Sequence, residues 1–147
     1  MRTFINKQSI FFLVILLWGI ACARQTATDS DCATLACQRQ QAYDQVMAVH
    51  DEVMARMPQL DSLAGLLKER LNTPTDSLQA VEVQQALTAL EAADQAMWDW
   101  MHGFDANGIK ALPDSLALAR LRLERQRIDS VARLFDSATS AANHNLR

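Results

Sequence analysis

The sequence predicts an all-α fold, an antiparallel up-down-up three-helix bundle that follows an N-terminal signal peptide and a short tether. Tyr43, His50, Met57, Ala64 and Leu71 recur every seven residues, and Val46, Val53, Leu60 and Leu67 fill the intermediate heptad positions. That is the pattern of a bundle seam. No stretch shows the apolar-polar alternation of a half-buried strand. Short connectors rich in turn formers separate the helical stretches. Each helix is apolar on one face only, so three must pool their stripes to make a core. The alternative is a longer two-helix hairpin that pairs with a second copy of the chain through helix three.

The first 21 residues stand apart from this domain. Arg2 and Lys7 give a basic start, an apolar run covers residues 10–20, and Ala21-Cys22 follows. A basic start, a short apolar core and small residues at its end make a secretory signal. The run falls short of the roughly 20 apolar residues that a membrane span needs. Trp18-Gly19-Ile20-Ala21-Cys22 resembles a bacterial lipoprotein signal, in which a small residue precedes a cysteine that becomes lipidated and N-terminal. Gly19 stands where leucine is usual, with Leu17 further back, and ordinary signal-peptidase cleavage nearby is the alternative. Lipidation of Cys22 by several chains would hold the protein at a membrane stably, where one chain would not. Removing residues 1–21 takes Arg2 and Lys7 from the 14 basic residues and leaves all 17 acidic ones, a balance of −5. That balance gives no reason to expect nucleic acid as a partner.

Residues 22–37 read as a flexible tether, and residues 38–147 as the bundle. Residues 22–36 are rich in Ala, Thr, Asp and Ser and have no apolar period. Cys32 and Cys37 invite a disulfide in an exported chain. Five residues apart on a regular helix they would face different ways, so a bridge requires a non-helical stretch there. A redox pair or a thiolate metal site is the alternative use of these cysteines.

Helix one is expected over residues 38–71, kinked just before Pro58, which removes a backbone hydrogen bond. Asn72-Thr73-Pro74-Thr75 connects it to helix two, with Thr75 or Asp76 as the cap. Helix two covers residues 76–102. Its stripe is Val83, Leu87, Leu90, Asp94, Met97 and Met101, and Gly103 supplies the stop. Asp105-Ala106-Asn107-Gly108 reads as a turn and lacks the spaced acidic ligands of a calcium loop. Helix three covers residues 113–142, with Pro113 and Asp114 in its first turn and Leu121, Ile128, Val131, Phe135 and Ala138 on its apolar face. Its arginines, mixed with Glu124, Asp129 and Asp136, form a solvated face with local ion pairs; a basic stripe docking an acidic partner or lipid headgroups is the alternative.

Folding helix two back on helix one brings Met47, His50, Met54 and Met57 towards Asp94, Met97, Trp100 and Met101. Every methionine beyond Met1 falls in this layer. Methionine fills irregular gaps and packs on aromatic rings, so a core layer is the simplest reading, with His50 and Asp94 as a buried pair. The alternative is a soft-metal site for Cu(I) or Ag(I) drawn from Met47, His50, Met54, Met97 and Met101, with Trp98 or Trp100 covering the ion. A zinc variant would use His50, His102 and Asp94 or Asp99. A methionine-rich groove for varied apolar partners is a third use. His50-Asp51-Glu52 looks catalytic as a string, but on a helix the three point in different directions. With no zinc-protease helix, phosphate loop, nucleophile elbow or haem-attachment motif in the chain, enzymatic activity is not expected.

The segments HDEVMARM and AMWDWMHGFD resemble those of small helical lipoproteins from Bacteroidota, some of which carry the label "viral A-type inclusion protein". The likeness rests on Met47, His50-Asp51-Glu52, Met54 and Met57, then Asp94, Ala96-Met97, Trp100-Met101 and Phe104, and covers roughly residues 43–104. Those relatives often have proline directly after the HDEVM segment; here Ala55 stands there, and the proline is Pro58. The resemblance implies an exported helical lipoprotein and assigns no activity. The expectation is therefore a membrane-tethered protein of the bacterial cell envelope, facing the periplasm or the cell surface. It would act by binding an envelope protein, with no cofactor, and remain open to self-association.

Overall fold

The computed structural model describes residues 32–73 and 76–147. The signal over residues 1–21, Cys22, the tether up to residue 31, and Pro74 and Thr75 of the connector lie outside the described residues. Cys32–Arg147 form one compact unit. Its elements are α1 (Leu35–Met54), α2 (Met57–Leu71), α3 (Ser77–Gly103), α4 (Ala106–Ala111) and α5 (Asp114–Asn145). There is no strand among the described residues, so the fold is all-α. Three long helical stretches build it, the first broken into α1 and α2.

Thr34 caps α1 by accepting from the Cys37 N–H at 3.2 Å. The helix thus starts inside the stretch read as tether and takes Cys37 into its first turn. The expectation that a Cys32–Cys37 bridge needs a wholly non-helical stretch is corrected, because only Cys32 lies outside the helix. The chain turns at the cap, bringing the two Cα atoms to 5.4 Å, and the sulfurs are bonded. Gln38 Nε2 donates to the Cys32 carbonyl at 2.9 Å and holds the turn from the helix side.

The predicted kink before Pro58 is a break. Ala55 and Arg56 form a turn, and the Arg56 N–H reaches back only three residues, to the Val53 carbonyl at 2.9 Å. Pro58 has no N–H to continue the ladder, and it sits in the first turn of α2, where none is required. The break changes what the chain packs on. α1 lies mainly against α5, whereas α2 lies mainly against α3.

Asp76 caps α3, accepting from the Gln79 N–H at 2.9 Å, and the helix ends at Gly103. The turn expected at residues 105–108 instead opens the six-residue α4, because the Asp105 side chain caps it through the Gly108 N–H at 2.8 Å. A Cβ at Gly108 would meet that same carboxylate, so a larger residue there would make the Asp105 side chain turn from its present position. α5 follows Pro113, with Asp114 in its first turn beside the Arg39 guanidinium at 2.9 Å.

The core is one cluster with Val46 and Val53 from α1, Leu60 and Leu67 from α2, Val83, Leu90 and Met97 from α3, Ile109 from α4, and Leu121, Ile128 and Phe135 from α5. Contacts between the helices come in ordered pairs. Numbers rise together along α1 and α5, from Arg39–Asp114 to Arg56–Asp136 at 2.7 Å. They run oppositely along α1 and α3, where Tyr43 meets Phe104 and His50 meets Trp100.

Candidate functional site

The helix break hands α2 to α3, so the backbones of α1 and α3 stay apart. Large side chains close the seam between them. On α1 the line to the core is Val46 and Val53. Tyr43, Met47, His50 and Met54 lie on one flank of that line, within about 60° of arc. The rings of Tyr43 and Phe104 lie 6.1 Å apart, those of His50 and Trp100 5.6 Å, and Trp100 stacks on Phe104 at 4.8 Å.

Trp100 is 3% exposed, and its Nε1–H is buried with no hydrogen-bond partner. His50 is half-buried at the edge of the seam, and its Nδ1 lies 2.8 Å from the Asp51 carboxylate. An ionised carboxylate can only accept, so Nδ1 is the donor in this contact and Nε2 is the ring nitrogen left for another partner. This corrects the expected His50–Asp94 pair. Trp100 is the residue that faces His50, and Asp94 lies six residues along α3, about 9 Å by helical rise.

The methionines divide between seam and core. Met97 is wholly buried in the core, and Met54, Met57 and Met101 pack against that core while half-buried. Met57 opens α2 beyond the break and so leaves the α1 stripe. Met47 is half-buried one turn from His50. Trp98 is exposed and stacks on His102 at 6.3 Å, away from His50, so Trp100 is the indole beside the imidazole. Among the described residues no three His, Cys, Asp or Glu side chains converge on a metal position, so the zinc set is not assembled.

A second feature escaped sequence reading. Glu124, expected on a solvated face, is 1% exposed. It occupies a core position in the series Leu121, Glu124, Ile128, Val131, a spacing legible in the sequence once the charge is ignored. Its carboxylate takes Arg120 at 2.9 Å and Arg127 at 3.1 Å, both half-exposed. Arg127 also reaches Gly103, where a Cβ would stand 3.2 Å from its guanidinium. α3 therefore ends opposite Arg127, while residues 114–126 of α5 precede that point.

Leu116, Leu123 and Leu134 project from α5 with 56%, 55% and 44% of their surface exposed. Their spacing puts them within about 20° of one another on the helix, roughly 100° from the centre of its core face. A cleft of about 180 Å³ between α1, α4 and α5 is lined by Arg39, Tyr43, Ile109, Lys110 and Leu121; its Arg39 is already paired with Asp114.

Comparison of the chain with known protein families, with characterised proteins and with solved structures gave no match.

Proposed function

We propose that the chain is an exported helical module, tethered to a membrane at Cys22 and facing the periplasm or the cell surface, that binds a protein of the cell envelope through an exposed flank of α5. Its frame is an up-down-up bundle. The shared direction of α1 and α5, and the opposite direction of α1 and α3, support that arrangement. The signal-like start, the Ala21-Cys22 junction and the likeness of residues 43–104 to Bacteroidota lipoproteins support the location.

The observation that carries the binding reading is the line of Leu116, Leu123 and Leu134. Together they span about 27 Å of one helix face. Leu116, Leu123 and Leu134 are half-exposed in register, and Arg120 and Arg127 rise between them on nearly the same line, so the surface alternates large apolar side chains with arginines, a mix suited to a protein-binding surface. The reading calls for neither cofactor nor nucleic acid.

The test has two arms. Cys22→Ser should release the chain from the membrane fraction; a chain that stays there unaltered contradicts the anchor. Leu116→Glu with Leu123→Glu should leave thermal unfolding unchanged and remove the partner recovered after cross-linking in intact cells. Recovery of the same partner in equal amount contradicts the α5 surface.

A further inference from the structure

We infer that the seam between α1 and α3 is a binding site for a soft monovalent cation, Cu(I) or Ag(I), held by His50 Nε2 and the thioethers of Met47 and Met54. The site lies on a different surface from the α5 strip and stands or falls separately from it.

His50 has the carboxylate partner that suits a ligating histidine. Metal-bound histidines characteristically give their other ring N–H to a carboxylate, which fixes the tautomer and raises the basicity of the free nitrogen. Asp51 does this at 2.8 Å from the exposed edge of α1.

Two thioethers flank the imidazole on α1. Met47 and Met54 lie three residues before and four after His50, spacings that put helix side chains next to one another. All three residues are half-buried, so the ion could enter from solvent and still sit against the apolar seam. Thioether and imidazole together select a soft monovalent ion, and methionine's three rotatable bonds let two sulfurs converge on a nitrogen between them. The hard-ligand alternative has no third group among the described residues.

Trp100 faces the imidazole from α3. Its ring lies 5.6 Å from that of His50 and brings an aromatic face beside the proposed cation. Its unpartnered N–H marks a residue held there by ring placement and not by hydrogen bonding. Met97 and Met101 belong to the core side and are not required as ligands.

The test is Ag(I) competition titration of the full chain in detergent. Ag(I) needs no reductant, so the Cys32–Cys37 bridge stays closed, and free thiols are blocked with N-ethylmaleimide. The expected result is one ion per chain, with quenching of indole fluorescence that persists in Trp98→Phe. Asp51→Asn, which removes no packing, should weaken binding about 10–100-fold. His50→Ala and Met54→Leu should weaken it at least as much, while His102→Ala should leave it unchanged. Met54→Leu conserves volume, so it decides the matter even if His50→Ala unfolds. Affinity unaltered in Met54→Leu and Asp51→Asn, or lost equally in His102→Ala, overturns the site.

Discussion

The imidazole of His50 rests beside the indole of Trp100, 5.6 Å between ring centres, across a seam where the helix backbones do not pack closely. The break before Pro58 sends α2 to α3, and Tyr43, His50 and Met54 from α1 and Trp100 from α3 close the gap left between α1 and α3.

Trp100 should therefore be the most sensitive seam position. Trp100→Ala is expected to cost about 3–5 kcal/mol in urea unfolding. Trp100→Phe keeps an aromatic ring and removes a buried donor that has no partner, so it should cost less than about 1.5 kcal/mol. Equal losses for the two substitutions would show that the ring contact is not what matters.

Glu124 predicts an asymmetry of sign. Its carboxylate is buried while Arg120 and Arg127 keep water contact. Replacing it with leucine should be neutral or stabilising by about 1–4 kcal/mol, whereas removing both arginines should destabilise by about 3–5 kcal/mol. Equilibrium unfolding of the two variants measures the difference, and a large loss in Glu124→Leu would contradict it.

Reducing the Cys32–Cys37 bridge should lower stability by about 2 kcal/mol on the loop-entropy model, a small effect because the closed loop is short. Because that model acts on the unfolded chain, amides that exchange only by global unfolding, such as those of Val46 and Val53, should lose protection by the same amount. Faster exchange confined to residues 37–39, with Val46 and Val53 unchanged, would show that the bridge holds only the helix start.

Pro58→Ala should cost under about 1 kcal/mol, chiefly by giving freedom to the unfolded chain. The break should persist, because α1 and α2 are committed to different neighbours. Amide exchange across residues 54–58 checks this; continuous helical protection there would contradict it.

The all-α class was legible because the heptad series and the helix-three face are strongly periodic, and Val46, Val53, Leu60, Leu67, Ile128 and Phe135 are buried where the pattern put them. The site was legible only in part. Helical spacing placed Met47, His50 and Met54 on one flank, and the fold-back brought His50 towards the end of helix two. The partner of His50 was misassigned, because a local Asp51 contact competes with any cross-helix carboxylate and periodicity is blind to it. Asp105 and Gly108 start a helix by a side-chain cap that composition reads as a turn. Glu124 was hidden by its charge. The switch of neighbours at residues 55–56 depends on tertiary packing that no local pattern carries.

If an envelope protein docks on the exposed flank of α5, as proposed, a photo-reactive residue at position 123 of the full chain in intact cells should capture it. Position 45, exposed on α1, serves as the reference. One discrete adduct is expected from position 123, lost in Leu116→Glu, and none from position 45. No adduct from position 123, or the same adduct in equal yield from both positions, would contradict it.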